Sequence, residues 1–317
     1  MSEKFLKVED LVVEYRTGGK VVHAVNNVSF ELERGKTLGL VGETGAGKTT
    51  IAKTILRVLP DAQAKVKSGK VILDGVDLLS LSEAAMRKVR GGQVTMVFQD
   101  PMTALNPIMK VGEQIAEVIR KHQTREDKTA REMAEDMLAM VGIPRERYGE
   151  YPHQFSGGMK QRVVIAMALA CNPHLLLADE PTTALDVTIQ AQVLDMMDDL
   201  KKKYNTAMIL ITHDLGVVAQ NCDYVAIIYA GEVVEYGSLR EIYKDTKHPY
   251  TEGLFGSIPS LTSDVTRLQA IDGMMPDPTR LPEGCVFCER CKYATPECSK
   301  SHPGIVSLGG THQVRCL

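Results

Sequence analysis

The chain has 317 residues, 44% hydrophobic and 24% charged, with 37 Lys plus Arg against 40 Asp plus Glu for a formal net charge of −3. This is the composition of an ordinary globular protein with one large core or two smaller ones, which excludes a disordered tail or a fibre. It offers no general electrostatic grip on nucleic acid or an anionic membrane, and its longest apolar run, VVIAMALAC at 163–171, is about half of the ~18 residues that cross a bilayer.

In chain order, MSEKFLKVED lacks the charged-then-apolar pattern of a secretory leader, so the expected compartment is the cytoplasm, with reduced thiols. Residues 5–15 and 21–32 alternate apolar with polar around Gly18-Gly19 and predict an antiparallel hairpin. TLGLV (37–41), VTMVF (94–98), HLLLA (174–178) and AMILI (207–211) are short continuous apolar runs separated by helical patterns, as in strands buried on both faces. Helices are predicted at 47–58, stopped by Pro60, and at 82–90, with Ser82 as cap. Residues 100–162 carry helical periodicity at 111–121 and 126–141 and little strand signal, which predicts a helical insert in an α/β domain. A helix at 214–220, strand-like YVAIIYAG (224–231), VVEYG and a helical stretch at 238–256 follow; from about 257 the texture turns to Pro, Ser, Thr and Gly, a linker into a cysteine-rich end.

GETGAGKT runs through Gly42, Glu43, Thr44, Gly45, Ala46, Gly47, Lys48 and Thr49, with Thr50 behind them. It fits G-x-x-x-x-G-K-[ST] immediately after a buried strand and at the opening of a helix. The glycines let successive backbone N–H groups point at a phosphate, and the helix start adds about half a positive charge. Lys48 is placed to reach the β and γ phosphates, and Thr49 to ligate Mg²⁺. LLLADE (175–180) is an apolar strand ending in two carboxylates. Asp179 is expected to hold Mg²⁺, and Glu180 to orient and deprotonate the attacking water. Gln99 and His213 also end buried strands, where α/β sheets bind ligands; Gln99 is expected on Mg²⁺ or the lytic water, His213 on the γ-phosphate. Each of these polar residues alone is an ordinary strand end; their convergence carries the reading.

FSGGMKQR (155–162) opens a helix with Ser156, Gly157 and Gly158, a second anion-binding start for which one nucleotide site has no room. Here the sequence resembles the nucleotide-binding subunit of an ATP-binding cassette transporter over roughly residues 5–256, with FSGGM in place of the LSGGQ signature. The resemblance implies a P-loop NTPase (RecA-like) α/β core with an antiparallel β subdomain, a helical subdomain at about 100–162, and ATP and Mg²⁺ as ligands. It implies that Tyr15 stacks on adenine, that Gln99 opens the Q-loop, that 184–186 is the D-loop, and that His213 is the switch histidine. Phe155 and Met159 depart from LSGGQ but leave the Ser and Gly atoms that meet phosphate. QDPMTALNP (99–107), SGGMKQR, HPYTEGL (248–254) and the cysteine tail resemble the oligopeptide and dipeptide importer branch. That implies an ATPase peripheral to the cytoplasmic face of the membrane, paired with a second ATPase subunit, identical or different. Two transmembrane permease subunits and, indirectly, an extracytoplasmic substrate-binding protein complete the set, with no nucleic-acid partner. Sister systems carry nickel, glutathione or oligosaccharides, so the cargo stays open. A soluble, non-transport cassette ATPase is a rival reading, and an electron-transfer tail with a cassette attached is another.

Five of seven cysteines lie in the last 33 residues, spaced Cys285-x₂-Cys288-x₂-Cys291-x₆-Cys298-x₁₇-Cys316 within an extension over 257–317. Such density in a reducing compartment reads as metal binding before disulfides, against unpaired thiols on a loose end. Two sets compete: the start of a ferredoxin-like C-x₂-C-x₂-C run through Cys285, Cys288 and Cys291, and the importer branch pattern, which matches Cys285, Cys291, Cys298 and Cys316 and skips Cys288. The resemblance implies a [4Fe–4S] cluster on those four, with zinc the alternative.

Overall fold

A computed structural model describes residues 4–183, 185–257 and 271–317. The two alternating runs become β1 (Lys4–Thr17) and β2 (Lys20–Glu33), neighbours in one sheet. β3 (Thr37–Val41), buried throughout, leads into α1 (Lys48–Ile55). β4 (Ala64–Leu73) and β5 (Val76–Asp77) precede α2 (Glu83–Val89), which Ser82 caps by accepting from the Ala85 amide at 3.3 Å. After β6 (Val94–Val97) come α3 (Pro101–Ala104), α4 (Val111–His122), α5 (Asp127–Met140) and α6 (Gly157–Leu169). Next are β7 (Leu175–Asp179), α7 (Val187–Tyr204), β8 (Ala207–Ile211), α8 (Leu215–Asn221), β9 (Tyr224–Tyr229) and β10 (Glu232–Ser238). α9 (Leu239–Lys244), α10 (Pro249–Gly256), β11 (Ile305–Gly309) and β12 (His312–Arg315) complete the described chain.

The described residues form two compact units, one from Glu33–Thr37 and Ser80–Ile211, the other from Lys4–Leu32, Leu38–Leu79 and Thr212–Leu317. In the first, β6, β7 and β8 run parallel, with Val94 opposite Leu175 and Leu175 opposite Ala207. All of Leu175–Ala178 is buried, which is why these strands read as unbroken apolar runs. The helical stretch packs through Ile115 and Ile119 of α4 and Ala130, Ala134 and Leu138 of α5, one stripe from each amphipathic helix.

The second unit holds two sheets. One has the order β2-β1-β4-β5, with β1 antiparallel to β4. In the other, β3 lies parallel to β9, β9 antiparallel to β10, and β10 antiparallel to β12, which pairs with β11. The architecture is α/β with mixed sheets. Two strand pairs escape the sequence reading: β4–β5, whose exposed, Lys-rich first half hides the period, and β11–β12, an outer hairpin whose β11 is exposed along its length. The predicted helical stretch 238–256 divides in two, because Pro249 lacks an N–H and restarts the helix at its first position, capped by His248. The predicted helix 47–58 ends at Ile55, with Arg57 in the left-handed conformation at φ 52°. Of the expected linker, residues 258–270 lie outside the described residues.

The terminal hairpin is tied down by two buried carboxylates of β10. Glu235 accepts from His312 Nε2 (2.8 Å) and from the amides of Lys247 (2.8 Å) and His248 (3.0 Å). Glu232 bonds His302 Nε2 at 2.9 Å and pairs with Arg315 at 3.5 Å. Each buried charge thus has partners from the extension, without which its desolvation would go uncompensated.

Candidate nucleotide site and cysteine cluster

In the second unit, the loop between β3 and α1 turns on glycines at positions where a Cβ would meet backbone. Gly42 (φ 158°) would place a Cβ 2.1 Å from the Ile228 carbonyl oxygen, and Gly47 (φ 102°) one 2.3 Å from the Ala24 carbonyl oxygen. Ala46 is buried between them, while Thr44 and Gly45 form the exposed tip. Lys48 is buried, and its ammonium donates to the carbonyls of Gly42 (2.7 Å) and Glu43 (2.8 Å), so its charge lies along the loop. Thr49 and Thr50 are half-buried on the first turn of α1, and the Tyr15 hydroxyl lies 3.4 Å from Thr50 Oγ1. His213 is exposed beside Asp214, whose carboxylate caps α8 by accepting from the amides of Gly216 (2.8 Å) and Val217 (3.2 Å).

In the first unit, Asp179 is the buried last residue of β7, and Glu180 follows at φ 46°, a conformation uncommon for a side chain with a Cβ. The Glu180 amide donates to the Ile211 carbonyl at 2.9 Å, which fixes that backbone. Its carboxylate accepts from Gln99 Nε2 (2.8 Å) and Thr183 Oγ1 (2.9 Å). The fold thus brings together Gln99 and Glu180, 81 residues apart. Ser156 caps α6, accepting from the Met159 amide at 3.3 Å, and leaves itself and Gly157 exposed, with Gly158 half-buried. Both departures from LSGGQ meet one side chain that the sequence reading missed. Arg147 stacks over the Phe155 ring at 4.3 Å and donates to Met159 Sδ (3.3 Å) and the Gln154 carbonyl (3.0 Å). Of the D-loop, Ala184 lies outside the described residues; Asp186 caps α7 through the Ile189 amide at 3.0 Å.

The extension brings its five thiols to one cavity of about 280 Å³, lined by Cys285, Cys288, Cys291, Cys298 and Cys316 with His248. Burial pushes the Cys285 thiol up to about 11 and raises those of Cys288, Cys291 and Cys316. Cys298 moves the other way, because Thr295 donates hydrogen bonds to its sulfur. No cysteine among the described residues is in a disulfide. Among the described residues, no three His, Cys, Asp or Glu side chains are grouped so as to hold a metal ion. Backbone bonds from Cys285 N to Cys298 O (2.7 Å) and from Cys288 N to Cys285 O (3.0 Å) tie together the turns that carry these residues.

A family model described as ABC transporter matches residues 25–183, and a second, described as Oligopeptide/dipeptide transporter, C-terminal region, matches 234–298. The chain belongs to the ABC transporter family. It is 48% identical over 316 residues to the dipeptide transport ATP-binding protein DppD of Bacillus subtilis (strain 168), covering 99% of this chain and 94% of the relative. It is 49% identical over 315 residues to the oligopeptide transport ATP-binding protein OppD of the same organism, covering 98% and 88%. Among solved structures it is similar to the dimeric, post-hydrolysis ATP-binding cassette MJ0796 bound to ADP and Pi. That similarity has a TM-score of 0.66 and 27% identity, and covers 74% of this chain and 99% of that one. As a member of this family the chain is an ABC-type ATPase with the cassette fold. No described helix is long and apolar enough to cross a membrane.

Proposed function

We propose that this chain is the ATP-hydrolysing subunit of an importer of di- and oligopeptides, peripheral on the cytoplasmic face of the membrane. It works with a second ATPase subunit, two membrane-spanning permease subunits and, through them, an extracytoplasmic substrate-binding protein. The observation that carries this reading is one chain holding both the cassette and, at 234–298, the C-terminal region of oligopeptide and dipeptide transporters.

In this reading the amides of Gly42–Thr49 and the Lys48 ammonium hold the β and γ phosphates, and Tyr15 stacks on the adenine. Thr49, Gln99 and Asp179 would hold Mg²⁺, which neutralises phosphate charge. Glu180 takes a proton from the attacking water while the water oxygen bonds to the γ phosphorus and the bond to the β–γ bridging oxygen breaks. His213 donates to the γ-phosphate, and Ser156 to Gly158 of a second cassette add their helix start to the same charge. Loss of that shared anion parts the two faces, and the stretch from Gln99 to Pro107 passes the motion to the permeases. For the extension, Cys285, Cys291, Cys298 and Cys316 would hold a [4Fe–4S] cluster, zinc being the alternative. Five thiols lining one cavity support this reading, and such a group would cross-link a segment too small to fold by burial alone.

The test is ATP-driven uptake of a labelled dipeptide into membrane vesicles containing the partner subunits. Uptake lost with Glu180→Gln supports the reading; uptake of nickel, glutathione or an oligosaccharide but of no peptide overturns it. Iron and sulfide content of protein prepared without oxygen tests the cluster.

A further inference from the structure

Arg290 stands in the short turn Cys288–Arg290, between two cysteines of the extension, with its side chain 6% exposed. Its Nη1 donates to both carboxylate oxygens of Glu43, at 3.0 and 3.1 Å, and to the Tyr229 hydroxyl at 3.2 Å. Nε donates to the Asp272 carbonyl (2.9 Å) and Nη2 to that of Ile271 (3.3 Å), so all three guanidinium nitrogens have a partner. Glu43 is the second residue of the phosphate loop and is held at three points. Arg290 takes its carboxylate, Tyr250 accepts from its amide at 3.0 Å, and Lys48 donates to its carbonyl at 2.8 Å. Tyr250 and Arg290 are themselves fixed by the ring cluster of Tyr229, Tyr250 and Phe287, with centroids 4.6 to 5.4 Å apart. Arg290, its side chain 6% exposed, cannot release Glu43 cheaply, because its charge left alone would remain largely out of water.

We propose that Arg290 is a positioning residue for nucleotide binding. By holding Glu43 it fixes the peptide planes at the start of the phosphate loop and the carbonyl on which Lys48 rests, so the cysteine-bearing extension sets the loop's affinity for triphosphate. Whatever orders the 288–291 turn, thiol chemistry included, is then read at the nucleotide. This inference rests on Gly42–Thr49 being the phosphate site.

The test uses the full chain and a fluorescent ATP analogue, with affinity and thermal unfolding measured for Arg290→Ala, Arg290→Lys, Glu43→Gln and the Arg290→Ala/Glu43→Gln double variant. Arg290→Ala and Glu43→Gln are each expected to weaken binding about five- to tenfold, the double variant to be no weaker than the weaker single, and Arg290→Lys to recover part of the loss. Affinities within twofold of the parent, or losses that multiply in the double variant, overturn the proposal. Should Arg290→Ala fail to fold, Glu43→Gln decides alone, since Glu43 is partly exposed. Lys48→Ala in the same assay separates the premises: if it binds normally, the phosphate-loop assignment fails instead.

Discussion

Gly42→Ala measures how far the loop can yield. The added Cβ would stand 2.1 Å from the Ile228 carbonyl oxygen, 0.9 Å inside the 3.0 Å below which real Cβ contacts are essentially never seen. The obstacle is backbone in β9, paired in register with β3 through Val41 and Ile227, so neither strand retreats alone. Gly45→Ala is the matched control. It too has positive φ (86°), but its Cβ would meet only the tip of Met275, at 3.5 Å, an ordinary contact. Both variants incur backbone strain of roughly 1–3 kcal/mol, and Gly42→Ala adds an overlap cost of about 1–3 kcal/mol. At about 1.4 kcal/mol per tenfold, Gly42→Ala should bind ATP at least about fivefold more weakly than Gly45→Ala, by fluorescence titration of a labelled analogue. Equal affinities in the two variants would refute the steric account of this loop.

Glu180→Gln keeps the shape of the side chain that Gln99 and Thr183 hold but removes the base; phosphate release should fall by about two to four decades while nucleotide still binds, and unchanged turnover removes Glu180 from the chemistry. Arg147→Ala deletes the stacking on Phe155 and the bond to Met159, worth about 1–2 kcal/mol together, so nucleotide-dependent dimerisation should weaken roughly five- to thirtyfold with affinity for the monomer unaltered. Equal dimerisation by light scattering in a Glu180→Gln background would show that Arg147 does not shape the signature helix. Acid stability follows Glu241: burial pushes its carboxyl up, but bonds from Thr311 and Ser238 outweigh this and hold it down to about 2. The folded pKa lies below the unfolded one, so this contribution is complete above about pH 4.5 and disappears as pH falls towards 2. Glu241→Gln should flatten the pH dependence of unfolding in that window; an identical acid profile counts against the Thr311 tie.

Local chemistry made the candidate nucleotide site readable from residues alone. A glycine loop between a buried strand and a helix suits a phosphate, and carboxylates after LLLA stand at a strand's end, since both signals depend on neighbours a few residues away. Pairings over long separations were invisible: Arg290 finds Glu43 across 247 residues, and His312 finds Glu235 across 77. HPY was legible as a family mark but not as a device, because its work is a cap on α10 and a hydroxyl beneath Glu43, both meaningful only in three dimensions. Spacing marked five cysteines as a group, whereas only the folded chain brings Cys316 to one cavity with the other four. Residue type carries chemistry, and periodicity carries burial; which buried charge meets which partner is decided only when sheets and loops have closed around them.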